Sequence, residues 1–389
     1  MLKQVNVFMF LHGYYYKDVR VKKEAISLAK NGFIVTVLCL REKTELYSHY
    51  PDKYGIRVIP VRKMKEDTRK TPLGMLLFWI SLLQLTWKMK DITIVHAHDL
   101  PSVPPGIMLK FFHKTKFLIF DAHEQFSDAV YDYFGSLAFG ITQLIENLCT
   151  KQSDLLIGVM KPQLTLVRKR IRTPKNLSFC YLPNYPVLNG FLKNPRFHDR
   201  NDVFKVIFLG SMQPERCYDQ LIEAAKILQE RSYPSEIKII GDGPMYSHIL
   251  DRVKNENLEN IISMTGQLEQ EKALEITYEG DAGLILVAPQ RNMRSIMPNK
   301  FFEYLQLGLG VISVKANGIG SYIKRINGIF IENPMNPESI AQAIIHLQED
   351  ETRRKKMVLK AQKLIKEKWN WSTCEKRLVD SYKKLLISK

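Results

Sequence analysis

The sequence predicts an α/β protein built from two doubly wound, Rossmann-like halves. Three observations carry that expectation. Short, continuous apolar runs rich in β-branched residues alternate with stretches at helical spacing, as in parallel sheets covered on both faces. The alternation occurs as two series, the second beginning at Val203. Between them lies a stretch over 182–202 with Pro183, Pro186, Gly190 and Pro195, which reads as a linker.

Taken in order, the run 5–10 is a first strand, and apolar residues at Val21, Ala25, Ile26, Leu28 and Ala29 mark a helix over 19–30. Asn31-Gly32 ends that helix. Strand 33–40 follows, then strand 57–61, helix 73–90, strand 92–96, helix 105–112, strand 116–121, helix 139–152 and strand 155–159. The second series reads as strand 203–209, helix 218–231, strand 236–240, helix 245–256, strand 261–264, helix 269–278, strand 282–287, helix 299–307 and strands 311–314 and 328–331. Helices over 358–368 and 372–386 close the chain, separated by Trp369-Asn370-Trp371. The expected organisation is one domain over 1–187, a second over 188–366, and a terminal helical segment over 367–389.

Composition narrows the function classes. The 389 residues are 45% hydrophobic and 25% charged, which excludes a disordered or collagenous chain. Five scattered cysteines without a Cys-x-x-Cys pair argue against a disulfide framework or structural zinc, and for a reducing compartment. The net charge is +17 and uneven: residues 1–190 carry 27 basic and 15 acidic side chains, a net +12, and residues 191–389 a net +5. Such an excess suits nucleic acid, an anionic membrane surface or an anionic substrate. No nucleic-acid motif accompanies it. The apolar run 5–11 lacks a cleavage site and reads as a strand rather than a leader. The run 73–87 falls short of the roughly 20 residues a spanning helix needs.

Ligands of open α/β sheets bind beyond the carboxyl ends of the strands, and those positions are glycine-rich or polar here. In the second half they are Gly210-Ser211 with Arg216, then Gly241-Asp242-Gly243, then Gly266. Pro298-Asn299-Lys300 opens a helix that carries Glu303 one turn on. Glycines admit a phosphate close to the backbone, helix N-termini favour anions, and Arg or Lys neutralises a diphosphate. A carboxylate at Glu303 can accept from two vicinal ribose hydroxyls. In the first half the corresponding positions hold His12-Gly13-Tyr14, His96-Ala97-His98-Asp99, and Asp121-x-His123-Glu124. His96 and His98 share one face of a strand and could hold a metal, but shaping of a cleft is the stronger reading.

The blocks 297–304 and 308–312, with Phe208-Leu209-Gly210…Arg216, Ile239–Pro244 and Thr265-Gly266, resemble the donor-site signature of glycosyltransferase family 4. Asp18-x-Arg20-Val21…Glu24-Ala25, His96-Ala97-His98-Asp99 and Asp121-x-His123-Glu124 resemble a bacterial branch of the same family, and Trp371-Ser372 before a last helix resembles its tail. The resemblance implies a GT-B fold and a retaining transferase. The donor would be a UDP- or GDP-sugar, and the acceptor a glycan or lipid-linked molecule for surface polysaccharide. It implies a cytoplasmic enzyme peripheral to the inner face of the membrane. No metal or other cofactor is expected, and no Asp-x-Asp motif stands in the chain. Donor contacts would come from Gly13, Gly210, Ser211, Arg216, Gly241, Asp242, Gly243, Gly266, Ser295, Pro298, Asn299, Lys300 and Glu303. His123, Glu124, Arg216 and Lys300 would act at the reaction centre, expected at an interdomain cleft. His12, Tyr14, Asp18, Arg20, His98 and Asp99 would face the acceptor. Two departures stand out: Ser295 replaces a frequent Glu, and Ser211 a frequent Arg. A nucleotide-sugar epimerase of the same fold, or an inactive basic protein that binds membrane or nucleic acid, are the competing readings. Epimerisation without an acceptor would mark the first, and salt-steep DNA binding without nucleotide-sugar binding the second.

Overall fold

A computed structural model of the chain describes all residues except 1–3, 42–50, 66–67, 69–70, 173, 175, 189–191, 197–202, 291–296, 317 and 388–389. It divides into two compact units. Unit 1 comprises Met1–Asn184 together with Ser372–Lys389, and unit 2 comprises Tyr185–Trp371.

Unit 1 holds seven strands: β1 (Asn6–Leu11), β2 (Ile34–Arg41), β3 (Arg57–Lys63), β4 (Ile92–His98), β5 (Thr115–Ala122), β6 (Leu155–Gly158) and β7 (Ser178–Tyr181). They form one parallel sheet in the order β3-β2-β1-β4-β5-β6-β7. The order reverses at β1, which is the topological switch point. Right-handed crossovers put the helices Pro72–Trp87, Val103–Phe111, Phe126–Gln152 and Lys161–Ile171 on one face. There Phe78, Leu82, Val103, Leu109, Cys149, Leu164 and Val167 share one core. Helix Val19–Lys30 packs with the terminal helix Trp371–Ile387: Asn31 Nδ2 donates to Glu375 at 3.0 Å, and Phe33 meets the Tyr382 ring edge-on.

Unit 2 holds β8 (Phe204–Leu209), β9 (Ser235–Ile240), β10 (Ile262–Met264), β11 (Ala282–Ile285), β12 (Gly310–Val314) and β13 (Ile329–Ile331), parallel in the order β10-β9-β8-β11-β12-β13. Fully buried Ile207, Phe208, Leu284, Ile312 and Tyr304 fill its centre. The switch point lies between β8 and β11, so a ligand is expected at the carboxyl ends of the strands around β8.

Several elements differ from the sequence reading. The helix expected over 139–152 begins at Phe126 and bends at Gly135, whose φ of 78° is not helical. The helix expected over 358–368 begins at Glu351, capped by Asp350. Helices Gly320–Ile326 and Pro337–Glu349 and the short edge strand Ser178–Tyr181 were not anticipated. Pro337 stands at the first position of its helix after Asn336, whose side chain caps Glu338 N. The segment Asn333–Pro337 thus combines a turn with a helix start, and its prolines conceal the second. His96 and His98 lie within β4 rather than after it.

Candidate functional site

Gly210, Ser211, Gly241, Asp242, Gly243 and Gly266 of the donor-type residues come together at the carboxyl ends of β8 and β9. The two loops continue the ladder past the strands: Gly210 N donates to Ile240 O at 2.8 Å, and Met212 N to Asp242 O at 2.9 Å. Glycine is required by this approach. A Cβ on Gly241 would sit 2.2 Å from Gly210 O, and one on Gly243 2.7 Å from Met212 O. Both have φ in the left-handed half, at 143° and 156°. Gly266 joins the same end through a bridge to Gly241. Asp242 Oδ1 accepts from Gly243 N at 2.7 Å, which fixes the turn. A cavity of about 440 Å³ opens here, lined by Gly210, Ser211, Gly241, Asp242, Gly243 and Gln267 among others.

Cations stand beside that glycine floor. Lys300 Nζ lies 3.0 Å from where a Gly210 Cβ would be, and 4.7 Å from the Phe208 ring centroid. Burial and the Arg216 charge push Lys300 down to about 7, against the pull of Glu303. The neutral amine is therefore favoured by burial, and a nearby anion would favour the charged form instead. Arg216 ends a short 3-10 turn, and its Nε is buried without a hydrogen-bond partner among the described residues. Burial raises the Glu303 carboxyl, with Lys300 opposing. Pro298 caps the helix Asn299–Leu307, leaving its first N–H groups unsatisfied by any capping side chain. Ser211 is exposed and receives the Gln213 side-chain amide at 2.9 Å. Ser295 lies outside the described residues.

Unit 1 gathers the other group into a buried charge network centred on Asp121. Arg20 binds it in a fork, Nε to Oδ2 at 3.0 Å and Nη2 to Oδ1 at 2.7 Å. The remaining Arg20 nitrogen donates to Leu182 O and to Asn184 Oδ1, each at 2.8 Å. His123 Nε2 lies 3.0 Å from Asp121 Oδ2, and its Nδ1 lies 3.4 Å from Asp99. Burial works against the charged ring, but the Asp99 and Asp121 carboxylates win and raise His123 to about 9. His98 Nδ1 is 3.2 Å from Asp121, and burial together with neighbouring His96 keeps it well below the usual range. His96 stacks on His98 at 4.3 Å and bonds Tyr382 Oη at 2.6 Å. Despite burial, Arg20 and His123 hold Asp121 well below the usual carboxylate range.

The residues expected on the acceptor side divide, as do Glu124 of the expected reaction centre and Gly13 of the expected donor set. Asp18 caps the helix Val19–Lys30 by accepting from Val21 N at 3.0 Å. Arg20 is buried and spends its polar atoms inside unit 1, while buried His98 uses Nδ1 there and leaves Nε2 without a hydrogen-bond partner among the described residues. Asp99, with φ of 59°, accepts from His123 N and so ties β4 to β5. Glu124 is exposed. His12 N donates to Ser102 and its ring packs on Phe78, Gly13 O accepts from Leu40 N, and Tyr14 packs at the edge of the core. Glu24, His96, His98 and Asp121 place ligand-type atoms within 4.8 Å of one another. They do not suit a metal, because Arg20 already lies against both carboxylates, with its Nε 3.0 Å from Glu24. A second cation there would be repelled. The sequence reading did not single out Tyr382, the place of Glu24 in this network or the hub role of Asp121. The visible signal was Asp121-x-His123 at a strand end, since alternate residues there share one face.

Comparison with known proteins gives these features a setting. Residues 193–364 match the family described as glycosyl transferases group 1. The uncharacterized glycosyltransferase MJ1607 of Methanocaldococcus jannaschii is 24% identical over 185 residues, 47% of this chain. The match spans 46%, about half, of that relative's length. A sucrose-phosphate synthase from Thermosynechococcus elongatus superposes over 100% of both chains with a TM-score of 0.79 at 15% identity. The Anabaena protein Alr3699/HepE, in complex with UDP, covers 98% of this chain and 100% of its own with a TM-score of 0.74 at 14% identity. The fold is therefore GT-B, as the sequence led us to expect.

Proposed function

We propose, starting from a chain of GT-B fold whose residues 193–364 match the group 1 glycosyl transferases, that it transfers a sugar from a nucleotide-sugar donor. The observation that carries this is the glycine-floored cavity after β8 and β9, with Lys300 and Arg216 beside it. Its volume of about 440 Å³ lies in the range of small-molecule sites. UDP is the leading nucleotide, because structural neighbours are described in complex with UDP and UDP-glucose.

In the proposed reaction the bond from the anomeric carbon to the diphosphate oxygen breaks, and one from an acceptor hydroxyl oxygen forms. The acceptor proton passes to the leaving diphosphate. Negative charge grows on that diphosphate, and preorganised donors aimed at it lower the barrier. Lys300, Arg216 and the N-terminus of helix Asn299–Leu307 have that role. Glu303 takes the ribose hydroxyls. His123 carries its proton at neutral pH and keeps both ring nitrogens toward carboxylates, so it acts as a positioning cation rather than a general base. Retention of anomeric configuration follows the resemblance to family 4. The acceptor is a glycan or lipid-linked molecule for surface polysaccharide, handled by unit 1. The charge excess of residues 1–190 supports work at an anionic membrane surface on the cytoplasmic side.

Thermal denaturation against UDP, GDP and ADP compounds tests the donor reading. A uridine or guanosine compound should raise the melting temperature by several degrees at saturating concentration, and Glu303→Ala should abolish the shift. No shift with any nucleotide would remove the donor site.

A further inference from the structure

Helix Phe126–Gln152 has its polarity reversed. Beyond Gly135, the residues Leu137, Ile141, Leu144, Ile145 and Leu148 repeat at helical spacing on one face. These five side chains are between 44% and 78% exposed. The other face buries Glu146 and Thr150. Glu146 is held by Arg170 at 3.0 Å and by Ser127 at 3.1 Å. Glu146 is also the one charged residue in the sequence from 133 to 150. A helix that simply faces water shows the opposite arrangement, so this outer face is shaped for an apolar medium.

The neighbouring helices on the same side of the sheet supply the rest. Trp87, Phe111 and Phe112 are exposed, the Trp87 and Phe112 rings meet at 5.3 Å, and Lys114 Nζ lies 5.2 Å from the Trp87 ring. Across 72–90, 103–116 and 161–172, the sequence holds ten basic residues and no acidic one. Lys88, Lys90, Lys161, Lys169 and Arg172 among them are exposed.

We infer that the outer surface of this helix layer docks on an anionic lipid bilayer. Leu137, Ile141 and Leu144 seat among the acyl chains, and the basic residues lie against the headgroups. This rests on the membrane part of the proposed function and names the face responsible; it does not depend on the donor site. Charge complementarity selects the occupant. A second copy docked through the same patch would bring two sets of exposed cations together, Lys88, Lys90, Lys161, Lys169 and Arg172 in each, which an isologous contact disfavours. The stripe from Leu137 to Leu148 runs about 17 Å along the helix, suited to lying in the interface plane. No helix among the described residues is long and apolar enough to cross the bilayer.

Flotation of the full chain with vesicles of phosphatidylcholine alone, or mixed with phosphatidylglycerol, tests the assignment. The wild type should float with the anionic vesicles at low salt and not with the neutral ones. The variant Leu137→Ser/Ile141→Ser/Leu144→Ser, and separately Lys88→Glu/Lys90→Glu/Lys169→Glu, should each reduce the bound fraction by at least about tenfold. Both should keep the nucleotide-induced melting shift. Hydrogen exchange of the wild type should show protection across 136–149 when anionic vesicles are added, which decides the matter even if a variant misfolds. No flotation of the wild type would overturn the membrane reading itself. Flotation undiminished in both variants, or exchange unchanged across 136–149, would overturn the choice of face. A dimer dispersed by the serine substitutions, without vesicle binding, would make the occupant a second copy instead.

Discussion

At the residue scale the informative groups are those whose charge the fold makes costly. Lys300 is pushed from its ordinary 10.5 to about 7, chiefly by burial. Folding therefore strips its proton between those values, and the cost to stability is full below pH 7 and relieved as pH rises toward 10.5. A bound diphosphate reverses the balance by favouring the ammonium. Donor binding should take up a proton near and above pH 7, and affinity should fall as pH rises through that region. Lys300→Met removes the charge while keeping the stem over Phe208. It should weaken UDP binding by about 10- to 100-fold, the worth of one charge-assisted hydrogen bond. It should leave the fold at least as stable at pH 7. Calorimetric titration in buffers of different ionisation enthalpy reads both the affinity and the proton. Tight, pH-independent binding by the variant would take Lys300 out of the site.

At the scale of elements, the strands and most helices were legible because burial on both faces forces continuous apolar runs, and one-face burial forces helical spacing. What could not be read is what depends on partners far along the chain. Gly283 looks like any strand glycine in the sequence. In the fold, a Cβ there would lie 2.1 Å from the Tyr304 ring. Tyr304 in turn accepts from Leu209 N at 2.9 Å and donates to Leu284 O at 3.2 Å, pinning the end of β8 beneath the donor cavity. Arg20 shows the same limit on the other unit. The family resemblance implied an acceptor contact, yet the fork onto Asp121 is set by a residue 101 positions away. The reversed face of helix Phe126–Gln152 escaped because its apolar spacing is that of a core helix, and spacing does not say which side is covered. Gly283→Ala should therefore destabilise unit 2 by at least about 1–3 kcal/mol through overpacking, and lower the urea midpoint. A variant with an unchanged midpoint would show that Tyr304 can move without loss.

At the scale of the whole molecule, the chain builds two cores, and the first is completed only by its last residues. The terminal helix brings Leu378, Tyr382 and Leu385 into unit 1, all buried. Tyr382 Oη meets His96, a neighbour of the Asp121 network, and Glu375 receives Asn31. Cys374 Sγ lies 3.4 Å from Pro183 O, at the end of the segment that leaves unit 1. Early and late sequence thus share one cooperative unit, while unit 2 is continuous in sequence from Tyr185 to Trp371. Burial of three large side chains is worth about 1.5–3 kcal/mol each, a large part of a domain's net stability. A chain ended after Trp371 would also leave the His96 ring without its hydroxyl partner. Differential scanning calorimetry should then show the transition of unit 1 at markedly lower temperature or absent, with the nucleotide-sensitive transition of unit 2 retained. Tyr382→Phe should lie between the two, because it keeps the packing and removes the hydroxyl alone. If the truncated chain melted like the intact one, the terminal helix would be an appendage rather than part of the first core.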